Sequence, residues 1–296
     1  MAGVRSKPTG PAPDTNAIAF QFVKQLAEEL STGKVDLPSF PDIAVRVRRV
    51  LSDDKTTVDQ VVRVVGSEAA LAARLLKMAN SAALNRSGKT LTDLRTAINR
   101  MGYNMVRSAA ITFAMAQIRL ANNLKGLEPH LEQVWKHSAN VAATSYTIAR
   151  KYTTINPDEA LLTGLLHNIG KLYILTRAGK HPELFDDQAA LDAIMRDWHA
   201  SIGKAILENW EFAEEIANAV ADHEDITREH PGPVDLTDIV TVANMMAAFA
   251  DSPENLELNM QGIRAFERMK LDGSKCVEVM GESQEEIVAL RQALGS

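Results

Sequence analysis

The segment Asn156-Pro-Asp-Glu-Ala-Leu-Leu-Thr-Gly-Leu-Leu-His-Asn-Ile-Gly-Lys171 decides how this chain is read. It opens with a well-formed helix start. Asn156 stands at the N-cap, Pro157 in the first turn, and Asp158 and Glu159 against the positive end of the helix dipole. Ala160 to Leu166 is then apolar on every side, which predicts a central, buried helix rather than an amphipathic surface one. The segment closes on polar residues, His167 and Asn168, followed by Gly170 and Lys171.

Helix signals continue outward on both sides. Upstream, Leu131 to Tyr152 reads as one long helix. Ala17 to Leu30 carries Ile18, Phe20, Phe22, Val23, Leu26 and Leu30 at amphipathic spacing, with Gly33 as a stop. Leu37-Pro-Ser-Phe-Pro41 cannot be helical through its two prolines and predicts an extended connector. Thr57-Val-Asp-Gln60 is a capping box for a helix to about Val65. Ser67 is the expected cap of Glu68 to Asn80, and Thr92 that of Asp93 to Met101, closed by Gly102. Tyr103 to Leu120 follows. Downstream, helices are expected over Gln188–Trp198, Ile202–Trp210, Glu214–Asp222 and Leu236–Phe249, then smaller ones around Gly273 and Gly281. No strand pattern, internal repeat or glycine-rich phosphate loop interrupts the series. The reading is an all-α protein of two packed helical bundles, residues 17–127 and 128–252. A disordered arm precedes them (1–16) and a helical tail follows (253–296).

Composition agrees with this class. Of 296 residues, 46% are hydrophobic and only 5% aromatic, so the core must be built from Leu, Ala, Val, Ile and Met. These suit helix-on-helix packing better than sheets. One cysteine, Cys276, excludes an internal disulfide and fits a reducing compartment. The polar, Pro-rich N-terminus is no signal peptide, and no apolar run approaches a membrane span, so a soluble cytoplasmic protein is expected. A net charge of −6 argues against bulk nucleic-acid binding.

The run Ala160-x-Leu-x-Gly-Leu-Leu-His-Asn-Ile-Gly-Lys171 has the shape of the HD metal motif, preceded by Trp135-x-His137. Upstream lie Leu37-Pro-x-x-Pro41, Leu71-x-x-x-Leu-Leu-x-x-Ala-Asn-Ser-Ala82 and Ala97-Ile-x-x-Met-Gly102. On these motifs the chain resembles the HDOD family, bacterial signalling domains related to HD phosphohydrolases and to HD-GYP cyclic-dinucleotide phosphodiesterases. The resemblance covers roughly Leu37 to Asp251. It implies metal-ligand positions at His137, His167, Asn168 and Asn244, where active HD enzymes carry aspartate at the last two. With both carboxylates replaced by amides, a hard dication finds dipoles and no negative charge, and hydrolysis of the HD kind is not expected. His199 and His223 fall where HD-GYP relatives place ligands to a second metal. However, the sequence after His223-Glu224 contains no Gly-Tyr-Pro.

The expectation is therefore a non-catalytic signalling adaptor or output module, without cofactor, that binds a protein partner or a small ligand such as a nucleotide. No fused sensor, receiver or synthase pattern accompanies it. The alternatives are a residual metal-dependent phosphohydrolase and a nucleic-acid binder. The pocket candidates are His137, His167, Asn168, Lys171, His199, His223 and Asn244. For His167 and Asn168 the ordinary reading is a satisfied buried polar pair. Lys171 is either a phosphate contact or a solvated helix C-cap, and His199 and His223 either ligands or packing residues. A basic stretch (Arg74, Lys77, Arg86, Lys89, Arg95, Arg100 and Arg107) is the candidate interaction patch. Arg74, Lys77 and Arg95 also sit where an ordinary solvated helix face would put them.

Overall fold

The computed structural model describes residues 15–33, 42–53, 55–80, 85, 90–119, 127–185, 187–281 and 288. Most of the expected disordered arm, the 37–41 connector and most of the chain beyond 281 lie outside the described residues. The described residues form a series of helices: α1 (Thr15–Ser31), α2 (Asp42–Leu51), α3 (Val58–Gly66), α4 (Ala69–Ala79), α5 (Leu94–Arg119), α6 (Glu128–Tyr152), α7 (Pro157–Leu166), α8 (Ile169–Ala178), α9 (Gln188–Asn209), α10 (Glu214–Asp222), α11 (Leu236–Ala248), α12 (Pro253–Asn259) and α13 (Arg264–Met269), with helical residues again over 273–281. A 3-10 turn, Pro182–Phe185, joins α8 to α9. Among the described residues there is no strand, so the chain is all-α, and no helix is long and apolar enough to cross a membrane.

Local chemistry explains most boundaries. Thr57 and Gln60 form the expected reciprocal capping box of α3. Asn156 caps α7 by accepting from the Asp158 amide at 2.9 Å. Two expected caps shift by one residue. Ser67 closes α3, its hydroxyl donating to the Val64 carbonyl, and Glu68 caps α4 instead. Asp93 rather than Thr92 caps α5, its carboxylate accepting from the Thr96 amide at 2.7 Å, because an ionised acceptor outcompetes a hydroxyl at a helix N-terminus. Gly102, at φ 74 and ψ 166, breaks α5 where a closure was expected, and the helix then resumes.

Two stretches differ from the expected helix series. The basic run after Asp42 is itself helix α2, whose Ile43, Ala44, Val47 and Leu51 face the core while Arg46, Arg48 and Arg49 take its other faces. The two helices expected over 188–210 are one continuous α9, because Leu191, Ile194, Ile202 and Ile206 hold a single buried face through Ala200 and Ser201.

α2 to α5 pack together, and α6 to α11 form the second bundle around α7, with α5 lying against α7 where the two meet. Every residue from Ala160 to Leu166 is buried. α1, grouped by sequence with the first bundle, packs on α9 and the 182–185 turn. Phe22 meets His181 edge-on there, and the Tyr173 hydroxyl donates to Glu29, which also pairs with Arg177 at 3.4 Å. α13 packs on α11, and Arg268 donates to the buried Asp238 at 2.9 Å.

Two glycines set the spacing around the site. A Cβ at Gly164 would sit 2.8 Å from the Ala142 Cα, so α7 and α6 touch backbone to backbone. A Cβ at Gly170 would sit 1.9 Å from the His199 carbonyl oxygen, so α8 and α9 cross at that point. Gly170 is therefore inside the start of α8, and Lys171 lies in its first turn instead of capping a preceding helix.

Candidate functional site

Six helix positions converge at the middle of the second bundle. α6 brings His137, the end of α7 brings His167, and the start of α8 brings Asn168 and Lys171. α9 supplies His199, the end of α10 supplies His223 and Glu224, and α11 supplies Asn244. The four imidazoles form a chain. Ring centroids lie 5.4 Å apart for His137–His167, 5.0 Å for His167–His223 and 5.3 Å for His223–His199. All seven expected pocket residues are thus brought together.

The hydrogen bonds fix which ring nitrogen carries the proton. His167 Nδ1 donates to the Gly164 carbonyl at 2.6 Å, His199 Nδ1 to Met195 at 2.7 Å, and His223 Nδ1 to Val220 at 2.9 Å. A carbonyl can only accept, so each neutral ring keeps its lone pair on Nε2. Those three Nε2 atoms are buried and have no hydrogen-bond partner among the described residues, and neither has Asn168 Oδ1. The ordinary reading of His167 and Asn168 as a satisfied pair is therefore corrected: His167 is satisfied on one side only, and Asn168, at the N-cap of α8, makes no capping bond. Buried polar atoms without partners are uncommon and require an explanation.

His137 behaves differently. Its Nε2 lies 2.7 Å from Asn244 Oδ1 and donates to it, so the ring offers no lone pair from Nε2. Burial pulls its pKa down, partly offset by this bond. Burial holds His167 well below the usual imidazole value, with the neighbouring His223 and His137 rings adding to the effect. Burial likewise brings His223 down to about 4, helped by the adjacent His199. Burial thus disfavours the charged form of His137, His167 and His223.

Glu224 was not among the expected pocket residues. Its Oε1 lies 3.3 Å from His199 Nε2, 3.8 Å from His223 Nε2 and 3.6 Å from Lys171 Nζ. The His199 ring chiefly, then Lys171 and His223, hold its carboxyl down to about 2 against the effect of burial. Burial lowers Lys171, opposed by Glu224. Beside this group opens a cavity of about 540 Å³, lined among others by His137, Asn168, Lys171, Glu224, Asp192 and Arg196. The α6 wall (His130, Gln133, Val134 and His137) and the α9 wall (Asp192, Met195, Arg196, then His199) repeat at three and four residues. Helical spacing from His137 and His199 was the available signal for them.

The divalent ion that HD scaffolds imply can be tested against these atoms. The set His137, His167, Asn168 and Asn244 does not fit it. Two of its members are amides, and Asn244 is already hydrogen-bonded to His137. Opposite, His199, His223 and Glu224 each present a ligand atom, all within 4.8 Å of one another. A second group with that spacing, His230, Asp235 and Asp238, is neutralised by Arg228 and Arg268, which bond its carboxylates at 2.7 and 2.9 Å.

The basic candidates do not assemble in the same way. Arg95 pairs with Asp59, Arg100 donates to Asn85 Oδ1 at 2.7 Å, and Arg107 reaches across to the Leu51 carbonyl at 2.8 Å. Arg74 is half-buried and Lys77 exposed on α4, while Arg86 and Lys89 lie outside the described residues.

Comparison with known proteins agrees with the fold. A curated relative, an uncharacterized protein of Treponema pallidum (strain Nichols), is 24% identical over 263 residues, which is 83% of this chain and 49% of the relative. The chain thus spans about half the length of that relative. A crystal structure from Shewanella amazonensis SB2B, provisionally named a metal-dependent phosphohydrolase, superposes with a TM-score of 0.76 at 26% identity, covering 94% of this chain and 99% of the other. An HDOD domain protein of unknown function from Geobacter sulfurreducens superposes with a TM-score of 0.67 at 23% identity, covering 93% and 99%. The HDOD domain model matches residues 37–226. With that match over more than half its length, and with the buried histidine chain at the centre of its second bundle, the chain belongs to the HDOD domain family.

Proposed function

We propose that this HDOD protein is a non-catalytic signal-transduction module, an adaptor or output domain whose emptied HD pocket is a binding site and whose output is contact with a protein partner. The observation that carries this reading is the 2.7 Å bond between His137 and Asn244. Metal-assisted phosphoester hydrolysis needs anionic oxygens to hold the ion and orient its water. Here one of the two positions that would supply them is an amide turned onto a histidine, and the other is Asn168. Neither can accept a proton from an attacking water.

The test is hydrolysis of bis(p-nitrophenyl) phosphate, cyclic dinucleotides and nucleoside monophosphates with Mn(II) or Fe(II). The wild-type chain should give no turnover above buffer with the same metal, while Asn168→Asp with Asn244→Asp should gain some. Wild-type turnover that disappears in His167→Ala would overturn the reading. A residual phosphohydrolase is the second reading, favoured by the three unpartnered Nε2 atoms and by Glu224 beside them.

A further inference from the structure

We propose that the cavity between α6, α8 and α9 binds a linear alkyl diamine, with one ammonium at Asn168 and Glu224 and the other at Asp192. This rests on the adaptor reading of the pocket and deepens it by naming the chemistry of the ligand.

The cavity is a slot with two polar ends and an apolar middle. Asn168 and Glu224 line the inner end, and Asp192 lines the outer one. On α9, Met195 lies between Asp192 and His199, and on α6, Val134 lies between His130 and His137. Leu175 stands one turn beyond Lys171 on α8, so the three form an apolar band between the ends. Asp192 precedes His199 by about 10 Å along the helix axis, and His199 Nε2 meets Glu224 at 3.3 Å. The two carboxylates are therefore spaced for an extended diamine with a short alkyl chain.

The inner end is built of acceptors. Asn168 is only 2% exposed, and its Oδ1 has no hydrogen-bond partner among the described residues. Nor have the Nε2 atoms of His199 and His223, which face Glu224 Oε1 from 3.3 and 3.8 Å. Acceptors gathered in this way need a ligand that only donates, and an alkylammonium carries three N–H donors, no acceptor and one positive charge. Lys171 is the internal competitor, with its own ammonium 3.6 Å from Glu224 Oε1. At the outer end Asp192 accepts from the Gln188 amide at 2.8 Å and pairs with no cation among the described residues.

A phosphate is the wrong partner for these walls. Glu224 and Asp192 repel it, Lys171 is engaged by Glu224, and the exposed Arg196 pairs with Asp197 at 3.2 Å. Charge at long range points the same way. Residues 128–252 hold 20 Asp and Glu against 9 Lys and Arg, whereas residues 17–127 hold 9 against 16. The bundle that contains the slot is the one that attracts cations.

The experiment is calorimetric titration of the chelator-treated full chain, at about 0.15 M salt, with 1,4-diaminobutane, 1,5-diaminopentane, butylamine and adenosine monophosphate. One diamine per chain is expected, and no binding of the nucleotide. Butylamine leaves one carboxylate unpaired and should bind about 10-fold more weakly. Asp192→Asn should weaken the diamine by a similar factor and erase its advantage over butylamine, and Glu224→Gln should weaken both amines. Lys171→Met removes the internal competitor and should tighten diamine binding. Glu214→Gln, an exposed acid at the far end of α10, controls for the general field and should change nothing, with circular dichroism checking the fold of each variant. Butylamine also mimics a lysine side chain, so equal affinity for it in the wild-type chain would make this a site for a protein's lysine and overturn the diamine. Diamine binding that survives both Asp192→Asn and Glu224→Gln, or binding of the nucleotide alone, would overturn it too. No diamine binding at all would refute this ligand and leave the adaptor reading standing, whereas wild-type phosphodiester turnover would remove that reading itself.

Discussion

Gly170→Ala is the single methyl that the geometry tolerates least. The added Cβ would lie 1.9 Å from the His199 carbonyl oxygen, 2.7 Å from its carbon and 2.9 Å from the Gly203 nitrogen. Ordinary contact begins at 3.4 Å, so the shortest approach falls short by about 1.5 Å. All three obstructing atoms are backbone, so no side chain can rotate away and α8 must lift from α9. Overpacking of a core costs about 1–3 kcal/mol, and the lack of a flexible neighbour puts this case at or above the top of that range. Replacing a helical glycine by alanine returns about 1 kcal/mol, which leaves a net loss of roughly 2–3 kcal/mol. For a chain of this size each kcal/mol lowers Tm by about 2–4 °C, so a drop of roughly 5–10 °C is expected. Gly203→Ala is the internal comparison. Its Cβ would crowd a Val220 methyl at 2.8 Å, with the Gly170 nitrogen and an Ile169 methyl at an ordinary 3.6 Å, and it should lose clearly less. The assay is thermal unfolding followed at 222 nm, with urea denaturation for the free energies. A Gly170→Ala protein melting within about 2 °C of wild type, or above Gly203→Ala, would refute the claimed backbone contact.

Acid should destabilise the metal-free chain. His223 is neutral in the fold down to about pH 4, against an ordinary value of 6.5, so the unfolded chain takes up a proton first as pH falls. Its contribution is complete above about 6.5 and is lost toward 4. Roughly 2 kcal/mol should go between pH 7.5 and 5.0, with His167 adding to the loss in the same direction; equal urea midpoints at the two pH values would contradict this. Arg107→Ala removes the donor that ties α5 to the Leu51 carbonyl and should cost about 1–3 kcal/mol, while Lys77→Ala on the exposed face of α4 should stay within about 0.5 kcal/mol; equal effects in urea denaturation would make Arg107 an ordinary surface residue. Phe22→Ala should cost about 3–5 kcal/mol, because that buried ring anchors α1; a loss below 1 kcal/mol would mean that α1 is not part of the core.

Much of this was legible in the sequence because it rested on local chemistry. The capping box at Thr57, the Asn156 start and the wholly apolar α7 each need only a few residues to specify them. α2 is hard to read locally because three arginines fall in ten residues, although Ile43, Ala44, Val47 and Leu51 keep helical spacing beneath them. The place of α1 against α9 depends on Glu29 meeting Tyr173 and Arg177 about 144 positions later, which no local pattern encodes. In the site, resemblance located the four histidines and the two amides. It did not reveal that three Nε2 atoms would be without partners, since this depends on carbonyls one turn back along three different helices. Glu224 was missed because its role arises only when α8, α9 and the end of α10 meet. The histidine beside it in sequence drew the attention, while the carboxylate supplies the charge. Lys171 was misread for a related reason. A glycine that breaks helices in isolation here lets two helices cross.

Anomalous diffraction at the metal edge from crystals grown with Co(II) or Zn(II) tests the central claim most directly. With Asn244 hydrogen-bonded to His137 and Asn168 in place of a carboxylate, the HD set should hold no ion. The account predicts no peak between His137, His167 and Asn244, with the His137–Asn244 hydrogen bond intact. A peak between His137, His167 and Asn244, or two peaks spanning the cluster, would contradict it and return the chain to the metal-dependent phosphohydrolases.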